Sequence, residues 1–198
     1  METDGGEAVT APTLQCGDVV CELGQSFFGR AIQWFTRGWF EAKTWASHTG
    51  HMLDATHIAE ALRVFTIQPL DATRKIKMWR YRPGLSEGEQ ICIRQKALHW
   101  LGKAYGWWKN AAHAGDGLLE KTPLRYLFKN GHVYLFRRFL GIADYPVCSW
   151  ATGWTFWECI CYKFGIPPNG AAPDDIADWC EASPDWELVY DNVTKRTA

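Results

Sequence analysis

Tyr145-Pro146-Val147-Cys148-Ser149-Trp150-Ala151-Thr152-Gly153-Trp154-Thr155-Phe156 leads into an apolar run that continues to Phe164, just before Gly165 and Pro167. The run reads as a helix, Cys148 to Phe164, that begins at the cysteine. Pro146 restrains itself and Tyr145, so the approach is extended. Gly165 and Pro167 are stop signals. A thiol at a helix N-terminus faces unpaired N–H groups and the positive end of the dipole, and both favour thiolate. Cys159 and Cys161 lie turns further along and read as core thiols. Taken alone, Cys148 reads more readily as one more buried cysteine.

A reactive thiol needs a base, and the early part of the chain offers one. Ser47-His48-Thr49-Gly50-His51 falls in a stretch, Trp45 to Leu53, that reads as a strand. Strand alternation puts His48 and His51 on opposite faces. Asp54-Ala55-Thr56 is a turn, and His57 to Leu62 is a second strand, so the pair forms a hairpin. Glu60, in Ile58-Ala59-Glu60-Ala61, is an acid in an apolar strand and needs a partner. A three-residue turn centred on Asp54 places Glu60 directly across from His48. A carboxylate on one ring nitrogen fixes the tautomer and leaves the other nitrogen for the thiol. Either histidine taken singly is also readable as a polar residue on a sheet.

The elements around this pair point to α+β. Gly17-Asp18-Val19-Val20 is a turn entering a strand, with Asp18 a turn residue. Ser26 to Phe40 has helical spacing. Arg63 to Gln68 continues the second hairpin strand as far as Pro69, and Ile76 to Tyr81 is a further strand. Ser86 with Glu89 has capping-box spacing and opens a helix whose apolar side is Ile91, Ile93, Ala97, Leu98 and Leu101. Pro173-Asp174-Asp175 starts a short helix, and Trp186 to Tyr190 is a last strand.

The series Gly17-Asp18, Trp34-Phe35-Thr36, Ser47-His48-Thr49-Gly50, Glu60-Ala61 and Tyr145-Pro146-Val147-Cys148-Ser149 resembles the circularly permuted NlpC-type papain-fold group, in its YaeF/YiiX-like branch. The resemblance spans roughly residues 14–190 and is weakest over 103–140. It implies a papain-like antiparallel sheet packed against the helix that bears the nucleophile. It implies Cys148 as nucleophile, His48 as base, Glu60 as orienter, and hydrolysis of an amide, often in a cell-wall peptide (peptidoglycan). Many relatives carry an acid after Cys-Ser, where this chain has Trp150. The related lecithin:retinol acyltransferase group shares the permuted fold but usually has His as its third residue, so Glu60 favours the amidase branch. A lipid acyltransferase or phospholipase remains the runner-up, on the aromatic richness and the basic middle of the chain, and a non-catalytic binding module on the same fold is a third reading.

Residues 1–13 and 191–198 read as tails, and 14–190 as one catalytic domain with a helical insertion at 103–145. That insertion leads straight into Cys148, so Trp107, Trp108 and Tyr145, with Ser149, are candidate substrate contacts. Twelve tryptophans among 198 residues exceed what a core of this size needs, so a few are expected to line a groove. Residues 74–138 hold 14 Lys and Arg against 4 Asp and Glu, while the remainder is acidic. That segment is either an anion-facing surface or a helical insertion that pairs with the acidic ends.

Hydrophobic residues at 47% and charged residues at 22% mark a folded domain. No apolar run reaches the roughly 18 residues of a membrane span. The first residues show no signal peptide, so the expected place is the cytoplasm, or delivery by a phage particle or a secretion machine. Seven cysteines suggest no disulfide framework and a reducing compartment. The spacing His48-x2-His51-x5-His57 matches no zinc pattern, so neither metal nor cofactor is expected. The expected partner is a peptide, peptidoglycan or lipid substrate rather than nucleic acid, and oligomeric state is left open.

Overall fold

In β-strand order, alternate residues of Val19-Val20-Cys21 go to opposite sides. Val19 and Cys21 join Phe156, Ile176 and Trp186, whereas Val20 joins Met52, Ile58, Ile76 and Met78. This two-sided burial sets a sheet between helices on one face and a smaller apolar cluster on the other. The computed structural model describes residues 13–24, 46–71, 73–106, 115–116, 118–119, 122–123 and 147–194. Its strands are β1 (Val19–Glu22), β2 (His48–Met52), β3 (His57–Ala61), β4 (Phe65–Pro69), β5 (Ile76–Tyr81) and β6 (Trp186–Asp191). Its principal helices are α1 (Glu87–Trp100), α2 (Cys148–Ile160) and α3 (Pro173–Ala182). The six strands form one antiparallel sheet in the order β4-β3-β2-β1-β5-β6. The class is α+β, as the sequence implies. No helix among the described residues is long and apolar enough to cross a membrane.

Three local expectations change. The β2–β3 hairpin pairs Gly50 with Glu60 and His51 with Ala59, so Glu60 is not directly across from His48. All three residues Asp54-Ala55-Thr56 lie in the loop, because Leu53 N–H donates to the His57 carbonyl. Arg63–Gln68 does not prolong β3. The chain turns at Leu62, whose N–H donates to the Val64 carbonyl, and β4 returns antiparallel to β3. Helix α2 stops at Ile160 rather than Phe164, because Cys161 takes a left-handed conformation (φ 56°) and caps the last turn with its N–H.

Helix α1 has the expected Ser86/Glu89 capping box. Its buried stripe is Ile93, Ala97 and Trp100, however, while Ile91, Leu98 and Leu101 are exposed. Two contacts set that rotation. Cys92 is joined to Cys159 of α2 by a disulfide, and Trp100 meets the Trp150 ring edge-on with centroids 4.9 Å apart. The disulfide corrects the expectation of reduced cysteines with Cys159 as a core thiol. The loop it closes, 67 residues, is long enough that the crosslink contributes about 4 kcal/mol by restricting the unfolded chain.

Of the twelve tryptophans, Trp79, Trp100, Trp150 and Trp186 are core residues, each under 10% exposed. Trp34, Trp39, Trp45, Trp107 and Trp108 lie outside the described residues, as does the helix expected over Ser26–Phe40. Part of the basic middle of the chain pairs with acids: Arg74 with Glu22 and Glu60, Lys77 with Glu181 and Asp191, Arg80 with Asp18, and Lys96 with Glu158.

The non-reduced, denatured protein should therefore titrate five thiols with Ellman's reagent, against seven after reduction. Seven in both states would remove the α1–α2 crosslink.

Candidate functional site

The site forms where the β2–β3 ladder ends. Pairing of Leu53 with His57 and His51 with Ala59 points alternate amides of β2 at β3, and Thr49 has this orientation. The paired ladder stops at Gly50–Glu60, so the Thr49 N–H is left facing outward from it. The first residue of α2, Cys148, is placed so that this amide favours its thiolate. The nearby His48 ring favours the thiolate as well, and the Tyr105 hydroxyl lies 3.9 Å from the sulfur. Cys148 is 3% exposed.

His48 shares its sheet face with Glu22, directly across on β1, and with Glu60, diagonally placed on β3. Its Nε2 meets Glu60 Oε2 at 2.7 Å, which leaves Nδ1 for the thiol. Gly50 makes this diagonal possible. A Cβ there would stand 2.8 Å from the Ala59 carbonyl oxygen and 3.1 Å from Glu60 Cβ. The place opposite Glu60 is empty of side chain, and the carboxylate leans across it to His48.

Glu60 is 1% exposed and fully compensated. Besides His48 it accepts from Gln68 Nε2 at 2.6 Å and from both terminal nitrogens of Arg74 at 2.7 Å. Arg74 also donates to Glu22 through Nε at 3.1 Å and Nη2 at 2.5 Å. Its backbone is fixed by a turn in which the Asp71 carboxylate accepts from the Thr73 amide and hydroxyl, and by Asn192 Nδ2 donating to the Arg74 carbonyl. Sequence reasoning missed Arg74, Gln68 and Glu22. The signal was present, because a buried carboxylate beside one histidine still has lone pairs to satisfy. Tyr105 comes to 3.9 Å from the thiol because residues 102–105 run alongside Arg63–Phe65. There Gly102 N–H donates to Phe65 O, Phe65 N–H to Lys103 O, and Tyr105 N–H to Arg63 O.

The electrostatics follow from this packing. Burial pushes the Cys148 thiol up, but the charge of His48 and its hydrogen bond, with the Thr49 amide and Tyr105 hydroxyl, outweigh it and hold the thiol below the ordinary cysteine range. Burial pushes His48 down, and Cys148 and Glu60 together overcome that and raise it to about 10. Burial also disfavours the charged form of Glu60, yet His48 and Arg74 hold its carboxyl well below the usual range. The combination favours thiolate beside imidazolium. Because His48 is raised from 6.5 to about 10, its contribution to stability is complete below pH 6.5 and is lost as pH rises through about 10.

The other expected site residues are not gathered here. Ser149 is buried and its hydroxyl donates to the Ala171 carbonyl at 2.6 Å, so it is not presented to a substrate. Tyr145, Trp107 and Trp108 lie outside the described residues. His51 is on the opposite face, edge-on to Phe156, and burial pushes it down to about 4. His57, the first residue of β3, lies against Asp54 of the exposed turn. Asp18 is a structural tie, accepting from the Gln15 amide and from Arg80 through both oxygens.

No family model matches the chain, and no curated protein matches it. A solved structure does: "Crystal structure of metalloprotein yiiX from Escherichia coli O157:H7, DUF1105", with a TM-score of 0.59 and 16% identity, covering 90% of this chain and 98% of that one. The chain thus has a YiiX-like fold. Among the described residues, no group of three or more His, Cys, Asp or Glu side chains is arranged to hold a metal ion. Where Glu22 and Glu60 converge, the Arg74 guanidinium already stands between them. The described residues therefore do not fit a metal at this site.

Alkylation of Cys148 by iodoacetamide should rise with pH through a midpoint below that of an ordinary cysteine, roughly 8.5, and Cys148 should label before the other free thiols. Gly50→Val should slow it about tenfold or more by displacing Glu60 from His48. A midpoint near that of free cysteine, or a Gly50→Val rate equal to wild type, would contradict the geometry.

Proposed function

We propose that this chain is a cysteine hydrolase of the permuted papain-like kind, cleaving an amide through a thioester. The reading rests on one arrangement: His48 bonds the buried Glu60 carboxylate at 2.7 Å and favours the thiolate of Cys148 at the start of α2. Geometry and charge agree on roles. Cys148 thiolate attacks the carbonyl carbon, forming a C–S bond and a tetrahedral oxyanion. The His48 imidazolium gives its Nδ1 proton to the leaving nitrogen as the C–N bond breaks. Water then attacks the thioester, His48 takes its proton, and the thiolate leaves. The Cys148 backbone N–H, at the first helical position, lies outside the helix's own ladder and is suited to the oxyanion. The Tyr105 hydroxyl is a second donor beside the sulfur.

The preferred substrate is a cell-wall peptide. The Cys92–Cys159 bridge supports this, since disulfides persist where the compartment is oxidising. A lipid ester is the second reading. It is favoured by Leu62, Val64 and Leu101, each at least 41% exposed on the paired segments that end at Tyr105.

Incubation with purified peptidoglycan and, separately, with phospholipid vesicles distinguishes the two. The expected result is new amino groups from peptidoglycan, lost by at least a thousandfold in Cys148→Ala. Released fatty acid with intact peptidoglycan would transfer the assignment to lipid. Activity retained in Cys148→Ala would remove both readings.

A further inference from the structure

Arg74 lies outside the hydrogen-bonded line from thiol to imidazole to carboxylate, yet it touches two acids. Its Nη2 donates to Glu22 Oε2 at 2.5 Å and to Glu60 Oε2 at 2.7 Å. Bonds of 2.5 and 2.7 Å to one nitrogen place those two carboxylate oxygens no more than 5.2 Å apart. Glu60 has no solvent exposure at its side chain, Arg74 has 13% and Glu22 has 23%. Glu22 is moreover the residue directly across from His48 on β1. Two carboxylates therefore converge on one guanidinium, in a largely buried site where Glu60 bonds the His48 imidazole and Glu22 pairs with His48 across the strands.

We propose that Arg74 is a positioning residue acting through Glu60: by keeping both carboxylates ionised beside His48, it sets the pH at which Cys148 becomes a thiolate. The proposal rests on the reading of Cys148 and His48 as nucleophile and base. The charged and polar groups facing this cluster are Glu22 from β1, His48 from β2, Glu60 from β3, Gln68 from β4, Asp71 from the turn, Cys148 from α2 and Tyr105. Among the described residues, Arg74 is the one permanent cation bonded to both carboxylates.

The consequence of losing it follows from like-charge repulsion. Two buried carboxylates at this separation do not both stay ionised without a cation, and one takes a proton. Glu60, the more buried, is the one that protonates, while Glu22 keeps its charge against solvent. A protonated Glu60 no longer stabilises imidazolium at Nε2. The thiolate, which depends on that imidazolium, then forms only at higher pH. Glu22 is the source of the repulsion, so removing it together with Arg74 restores Glu60. A merely structural role for Arg74 gives no such rescue, because the double change removes still more of the network.

The experiment is the pH profile of Cys148 alkylation by iodoacetamide in the full chain, read by peptide mass, for wild type, Arg74→Gln, Glu22→Gln and the double change. Far-ultraviolet circular dichroism checks folding. Arg74→Gln is expected to raise the midpoint by a unit or more, which is about tenfold slower labelling below it. Glu22→Gln and the double change are expected within about threefold of wild type. A folded Arg74→Gln with the wild-type profile overturns the proposal, and so does a double change as slow as Arg74→Gln. Should Arg74→Gln not fold, the double change decides alone, since a tenfold slowing there is the contrary result. A wild-type Cys148 that titrates like free cysteine removes the underlying reading and the proposal with it, whereas a shifted wild type with an unshifted Arg74→Gln removes the proposal alone.

Discussion

A carboxylate without water has to be surrounded by donors, and in this chain the surroundings of Glu60 determine the site. Its oxygens accept from His48, Gln68 and Arg74, which come from β2, β4 and the turn before β5. Leaving such a group half-satisfied costs several kcal/mol. The strands that supply the donors are therefore held in one register around it. The hairpin register, the vacancy at Gly50 and the turn that presents Arg74 all follow from this one requirement.

The thiol is delivered to that carboxylate's histidine by a different mechanism, packing. Helix α2 is buried along most of its length, with Trp150, Ala151 and Phe156 among the core residues. It is fixed on α1 by the Cys92–Cys159 bridge and by the Trp100–Trp150 contact. The Ser149 hydroxyl ties the first turn to the Ala171 carbonyl. The helix start is thus immobilised where the β2–β3 ladder ends, and the Thr49 amide and the His48 ring meet one sulfur. Sheet electrostatics orient the His48 ring, and helix packing places the thiol.

Much of this was legible in the chain. Cys148 as a helix start, the β2–β3 hairpin, the capping box at Ser86 and Glu60 as an acid in an apolar strand were each readable from local pattern, because each is a short-range property. The register was misjudged by one pair on each strand, yet His48 and Glu60 still meet. Residues two apart share a face, and a long side chain spans the diagonal when the position opposite it is glycine. Arg74 and Gln68 were not legible, because their role depends on strand order across the sheet. The disulfide was hidden for the same reason: Cys92 and Cys159 are 67 residues apart, and only the packing of α1 on α2 brings them together. The exposed Ile91, Leu98 and Leu101 show that an apolar count alone does not identify which stripe of a helix is buried.

The central claim is that Glu60 and Cys148 together hold His48 as an imidazolium. Nitrogen-15 NMR of the histidine rings measures that directly. The expected spectrum at neutral pH has both His48 ring nitrogens protonated, titrating only as pH rises toward about 10, while His51 stays neutral until pH falls toward about 4. Cys148→Ala should bring the His48 titration down. A His48 ring that is neutral at pH 7.5 and titrates near 6.5, like a free imidazole, would contradict the account.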